Sequence, residues 1–312
     1  MRIQSQDFDL SAKFGHKVFE SPVFTASGCA GSGKELAQFF PLSELGAVVT
    51  KSIALKPRSG RATPRMAETP SGMLNSIGLQ GPGIDQFLSD DIPWLLANKA
   101  KVIVSISGET VEEYASLARR LRLVPGISGI EVNISCPNVE NRGLVFSCDP
   151  VASRAVIDAV RRNIGGELPI IAKLSPDVTD IVSIAGEVIS AGADGLALIN
   201  TLLGMVIDID TQKPKLAGKT GGLSGPAIRP VAVRAIYQVH SAFKNVPILG
   251  MGGVTSGKDA LEMIFAGASA VSVGTATFGN PSAAIKVKTE LQSLLQDRGF
   301  NSVSEAIGVA HE

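Results

Sequence analysis

Cysteine and histidine are scarce, with three of each in 312 residues. A small, odd cysteine count in a long chain argues against a disulfide framework and for a reducing compartment. His16, His240 and His311 are scattered, with no pair at ligand spacing, so the sequence makes no case for a metal. Excess charge is lacking too: Lys plus Arg is 29, Asp plus Glu is 29, and the formal net charge is zero. That balance argues against a nucleic-acid stripe or a polybasic membrane surface. No stretch approaches the roughly 20 apolar residues of a membrane helix. The opening MRIQSQDFDL has no apolar core of signal-peptide length. The expectation is a soluble cytoplasmic protein with neither nucleic acid nor membrane as partner. No G-x-S-x-G supports a serine nucleophile, and there is no linker, repeat or low-complexity tract.

What is present is a series of short β-rich apolar runs. They are PVFTASG (22–28), AVVTKSI (47–53), VIVSISG (102–108), GIEVNISC (129–136), PIIAKLS (169–175), GLALINT (195–201), PILGMGG (247–253) and AVSVGTAT (270–277). They are continuous rather than alternating, as parallel strands buried on both faces require. Helical patterns with readable ends lie between them. One starts at Thr179 as N-cap, carries Ile181, Ile184, Ala185, Val188 and Ile189 on one face, and stops at Gly192. Another has Ser256 and Asp259 spaced as a capping box and Gly267 as its stop. Strand and helix alternating eight times predict a (β/α)8 TIM barrel, one domain over residues 1–312. Residues before Ser21 read as a hairpin closing the opposite end.

The run starts are 25, 55, 27, 40, 26, 52 and 23 residues apart. The long intervals follow runs 2, 4 and 6, and glycine and proline punctuate them, so they read as long loops. Such loops lie on the C-terminal face of a barrel, where barrel enzymes keep their chemistry.

Candidate site residues fall on that face. Gly252, Gly253, Gly274 and Thr275 end runs 7 and 8, where glycines let backbone N–H groups approach a phosphate; tight turns without a ligand are the alternative. Lys51 and Lys173 lie in runs that should be buried, and a buried ammonium needs an anionic or acceptor partner. A flavin N1–C2=O edge or a carboxylated substrate would serve. An internal pair with Glu131 could explain one lysine but hardly both. Asn75, Asn133, Asn138 and Asn200 cluster there as well, and their amides suit a small planar ligand with alternating C=O and N–H groups. GCAGSGKE (28–35) orders its glycines as GxxGxG, and the position where a Rossmann site needs an acid reads Thr50-Lys51-Ser52, so a Rossmann site is rejected.

Cys136 stands between an apolar run and a proline, at the start of an inserted loop. A lone cysteine in apolar context is ordinarily a small hydrophobe, which suits Cys29; Cys148 is ambiguous. Cys136 is placed instead to act as a base toward an acidic C–H next to a carbonyl, through its thiolate fraction.

AETPSGMLNSIGLQGPG, EVNISCPNV, INTLLGMVIDI, GGLSGPAIRP and MGGV…VGTATF together resemble dihydroorotate dehydrogenase, class 1, and most nearly the class 1B catalytic subunit. The resemblance runs from about Ser21 to Phe278. It implies an FMN barrel that oxidises dihydroorotate to orotate in pyrimidine synthesis. Cys136 would take the C5 proton while hydride leaves C6 for flavin N5. Lys51, Asn75, Asn133, Asn200 and Thr201, with Ser76, Ile77, Gly78 and Leu79, would hold substrate. Ser27, Lys51, Ser52, Ser105, Asn133, Lys173, Ile199 and Gly225 would line FMN, with Gly252, Gly253, Gly274 and Thr275 near its phosphate. A homodimer and an electron-transfer subunit with FAD and [2Fe–2S] are implied partners, passing electrons to NAD. Three cysteines, one of them catalytic, cannot supply an all-cysteine cluster within this chain.

Some positions depart from the pattern. Gly81 stands where class 1B usually has asparagine, Ser105 where run 3 often carries an asparagine that reaches FMN, and the loop after Cys136 reads ENRGLVF. Two alternatives stay open: a dihydropyrimidine dehydrogenase flavin subunit, whose loop resembles SCPHGM rather than SCPNV, and a non-catalytic phosphate-binding barrel.

Overall fold

Alternation along each apolar run puts every second side chain on the opposite face of a strand, and here both faces are buried. In a computed structural model describing residues 8–134 and 146–311, all eight runs form strands. They are β3 (Val23–Thr25), β4 (Val48–Val49), β7 (Val102–Ile106), β8 (Ile127–Asn133), β9 (Ile170–Leu174), β10 (Gly195–Leu198), β15 (Ile248–Met251) and β16 (Ala270–Val273). They pair in parallel in chain order. The ends of the sheet, β3 and β4, meet through Gly46 N–H to Val23 O (2.9 Å) and Thr25 N–H to Ala47 O (3.2 Å). The Val49 N–H also donates to Thr25 Oγ1 at 2.9 Å. Helices follow the strands, so the architecture is the (β/α)8 barrel.

One face of the strands, with Val48, Val104, Ile130, Val132 and Ile170, packs outward on the helices. The other, with Val49, Ile103, Ile171, Ala197, Leu249 and Ala270, fills the barrel. The N-terminal end is closed by the expected hairpin, β1 (Ala12–Phe14) and β2 (Lys17–Phe19). Phe14 and Phe19 are wholly buried and pack with Phe24 in tilted and edge-to-face contacts, ring centroids 5.0 to 6.2 Å apart within the trio. Each such ring contributes about 1.5–3 kcal/mol by burial. With the bottom plugged, only the C-terminal end can open to a ligand.

The long segments after β4 and β10 are more than loops. They carry β5 (Met66–Thr69) and β6 (Gly72–Asn75), then β11 (Leu202–Gly204), β12 (Ile207–Asp208), β13 (Lys213–Pro214) and β14 (Gly221–Ser224). Strands β11, β14, β6 and β5 form one antiparallel sheet over the barrel mouth, and β12 and β13 form a separate ribbon. The glycines that read as loop punctuation permit close strand approach. A Cβ on Gly222 would lie 2.0 Å from Thr201 Oγ1, and one on Gly221 would lie 2.6 Å from Asn75 O.

Helix ends follow the expected chemistry with one shift. Asp180, not Thr179, caps the helix Ile181–Ser190, its carboxylate accepting from Val182 N–H (3.0 Å) and Ser183 N–H (3.1 Å). A carboxylate that takes two of the orphan donors outcompetes the neighbouring hydroxyl. The Ser256–Asp259 capping box is formed, and Gly192 and Gly267 end their helices at positive φ.

Candidate active site

The cavity opens where the barrel strands end, beneath the four-stranded sheet. It consists of two adjoining hollows that share Cys29, Lys173, Asn200, Thr201, Ser224 and Thr275. The outer hollow is walled by Lys51, Asn75, Asn133 and the turn Ile77-Gly78-Leu79. The inner recess is walled by Ile199, Gly225, Gly252, Gly253 and Gly274. Ser27 lines both hollows and Ser52 the outer one. Residues from seven barrel strands or their C-terminal ends and both inserted segments thus converge in one place.

Two sequence-derived candidates lie off the wall. Ser76 is 1% exposed; its hydroxyl accepts from Arg61 Nη1 at 3.3 Å and its N–H donates to Arg65 O at 2.7 Å. It fastens the inserted segment instead of facing the cavity. Ser105 is fully buried behind Ser52, their hydroxyls 2.9 Å apart. Cys136 and Asn138 lie outside the described residues.

Lys173 has the internal partner weighed above. Its Nζ is 3.6 Å from Glu131 Oε1, and both side chains are almost wholly inaccessible. From Glu131 a hydrogen-bonded path leads to the cavity. Ser105 Oγ donates to Glu131 Oε1 at 2.8 Å. Asn133 Nδ2 donates to Ser52 Oγ at 3.1 Å, and Asn200 Nδ2 donates to Asn133 Oδ1 at 3.4 Å. Asn75 Nδ2 donates to Gly222 O at 3.2 Å, which locks β6 to β14 over the mouth.

Several wall residues were not anticipated. Met66, Met73 and Phe278 rim the outer hollow, and Ser224 joins both hollows, accepting from Thr275 Oγ1 at 2.8 Å. The Ser224–Thr275 contact joins residues 51 apart, which no local pattern signals. Cys29 also lines the cavity, where burial pushes its thiol pKa up, against the downward pull of Lys173 and Lys51. It is therefore protonated and inert near neutrality.

Two cationic side chains, three amide side chains and a glycine-lined recess at the mouth of a (β/α)8 barrel define a barrel protein built to hold a polar, anionic ligand. A family profile described as dihydroorotate dehydrogenase matches residues 9–295. The chain is 52% identical over 294 residues to dihydroorotate dehydrogenase B (NAD(+)), catalytic subunit, of Desulforudis audaxviator, covering 94% of this chain and 95% of the relative. It is 49% identical to the proteins of the same name from Geotalea daltonii and Geobacter sulfurreducens, covering 96% of this chain and 97% of each. The chain belongs to the dihydroorotate dehydrogenase family.

Proposed function

We propose that this chain oxidises dihydroorotate to orotate in pyrimidine biosynthesis, using FMN in the inner recess. The observation that carries the reading is the convergence of Lys51, Asn75, Asn133 and Asn200 in one cavity that continues into a glycine-lined recess. The recess suits FMN on two counts. Ser272 Oγ lines it, is buried, and has no hydrogen-bond partner within the protein. Gly253, at φ 78°, lets the backbone of the recess wall lie close against Gly225 and Arg229: a Cβ there would lie 2.8 Å from Gly225 O. In this reading Gly252, Gly253, Gly274 and Thr275 hold the phosphate, and Lys173, Ile199, Gly225 and Ser27 line the rest, with Ser52 beside Ser27 on the outer-hollow side. When bound, FMN accepts the electron pair that leaves the substrate with the C6 hydrogen.

The chain's residues do the remaining work. Asn75, Asn133, Asn200 and Thr201 orient the pyrimidine through its C=O and N–H groups, with the backbone of Ile77, Gly78 and Leu79 beside them. Lys51 meets the carboxylate. Cys136 takes the C5 proton on Sγ, so proton and hydride leave adjacent carbons and a C=C bond forms. Orientation by several fixed amides is what lets a weakly dissociated thiol act at neutral pH.

The relatives' name, catalytic subunit, supports a separate subunit that carries electrons onward. We extend this to an FAD and [2Fe–2S] partner serving NAD, on a catalytic homodimer in the cytoplasm. The test is to purify the chain, record its spectrum, and add dihydroorotate without oxygen. A flavin spectrum that bleaches is expected. A colourless protein, or a yellow one that dihydroorotate leaves oxidised, contradicts the reading.

A further inference from the structure

We infer that Glu131, which does not line the cavity, is a positioning residue that dictates which end of each amide Asn133 and Asn200 turn toward the ligand. The inference rests on the proposed function and deepens it.

Glu131 is wholly buried on β8 and pairs with Lys173 at 3.6 Å. A carboxylate only accepts hydrogen bonds, and a serine hydroxyl has one hydrogen to give. Ser105 spends that hydrogen on Glu131 Oε1 at 2.8 Å. In the 2.9 Å contact between Ser105 and Ser52, Ser52 must then be the donor. With its own hydrogen committed, Ser52 can only accept from its remaining neighbours. Ser27, 3.3 Å away, must donate to it, and so must Asn133, which presents its NH2 at 3.1 Å. Asn133 is thereby turned with Oδ1 toward Asn200, whose NH2 donates at 3.4 Å. Asn200 Oδ1 in turn accepts from the Thr201 N–H at 2.8 Å. One buried charge thus sets the direction of the bonds from Ser105 to Asn133, the Thr201 N–H holds Asn200 in the matching sense, and the last two members are the amides on the cavity wall. A planar ring with a fixed order of C=O and N–H groups is recognised only if those amides keep their orientation, since a reversed amide opposes donor to donor.

Ser105→Ala breaks the chain without touching Lys173. Ser52 is then released to donate to Asn133, which can turn over and take Asn200 with it at the cost of the Thr201 bond. Orotate is the probe, titrated into FMN-loaded protein by flavin absorbance and by calorimetry. The dissociation constant should rise about tenfold in Ser105→Ala, a factor worth about 1.4 kcal/mol. Glu131→Gln, whose amide can donate where the carboxylate cannot, should weaken orotate at least as much. Adding Ser105→Ala to it should weaken orotate no further, because both act through one chain. A role confined to folding would lower the melting temperature and leave the orotate constant alone. Orotate affinity in Ser105→Ala within twofold of wild type overturns the inference and leaves the proposed function standing. Failure of the wild-type protein to bind orotate overturns both.

Discussion

Lys173 and Glu131 form a buried ion pair between adjacent barrel strands, 3.6 Å apart, with Lys173 on the cavity wall and Glu131 behind it. Both side chains are almost wholly inaccessible, so each charge depends on the other. Lys173→Ala should therefore strand a buried carboxylate and lower stability by about 3–5 kcal/mol, more than an exposed lysine could. Denaturant unfolding of the apoprotein measures this. The control is Lys286→Ala, which breaks an exposed pair one helical turn long, 3.7 Å from Glu290. Equal midpoints for the two variants would contradict the estimate.

Gly253 provides a steric test of the recess. It combines φ 78° with a would-be Cβ 2.8 Å from Gly225 O and 2.9 Å from Arg229 Cβ. Gly253→Ala must shift backbone on a wall of the inner hollow, and strain at positive φ adds about 1–2 kcal/mol. FMN should dissociate at least tenfold more readily, as measured by fluorescence on dilution. The control Gly165→Ala is also at positive φ, 78°, but has nothing within 4 Å of its Cβ and lies away from both hollows; it should leave FMN affinity unchanged.

Much of the architecture was legible because the barrel imposes a local signature. Strands such as Ile170–Leu174 are buried on both faces and read as continuous apolar runs, and the glycine-rich strand ends marked the inner recess. The inserted sheet was not legible. β6 pairs with β14 through Asn75 and Gly222, 147 residues apart, and glycines that allow such approach look like loop residues when read in sequence. Depth was hidden as well. Ser52 and Ser105 are both serines near strand ends, yet Ser52 reaches the cavity wall and Ser105 stops behind it against Glu131. Ser76 shares a turn with Ile77 and Gly78 but faces Arg61. Which way a side chain points from an irregular segment is decided by its tertiary partners, and these were unknown.

The cysteines should separate by role. Cys136→Ala is expected to keep FMN and to slow anaerobic flavin reduction by dihydroorotate by ~10²–10⁴, the usual cost of a lost general base. Cys29→Ala should leave that rate within a few-fold, since burial raises its thiol pKa and it donates no proton near neutrality. Thiol mapping adds an orthogonal check: exposed Cys148 should be alkylated well before Cys29. Stopped-flow flavin bleaching decides the kinetic part, and near-normal reduction in Cys136→Ala would remove it from the mechanism.

His240 makes stability depend on pH. Burial, helped by the charges of His311 and Lys244, holds its imidazole below the ordinary 6.5. The unfolded chain takes up this proton first as pH falls, so the contribution is intact above 6.5 and is lost as pH drops from there through the lowered folded value. The melting temperature should fall between about pH 7.5 and pH 5.5, and the fall should shrink in His240→Asn. An undiminished fall in that variant would assign the effect to other groups.

Electron exit gives the last prediction. The purified chain should reduce FMN with dihydroorotate yet fail to turn over with NAD. It holds three cysteines where an all-cysteine [2Fe–2S] cluster needs four, and GCAGSGKE lacks both the glycine order and the distal acid of a dinucleotide loop. In the structure that segment is a turn whose Gly28 lines the outer hollow, in keeping with a role at the substrate cavity. On the proposed reading, electrons taken from dihydroorotate would therefore need a second protein to reach NAD. Steady-state turnover with NAD, fumarate or a soluble quinone, with and without an added FAD and [2Fe–2S] subunit, separates the cases. NAD turnover only with the added subunit is expected. Brisk NAD reduction by the single chain would refute the need for a partner, and fumarate turnover would move the protein to the class 1A habit.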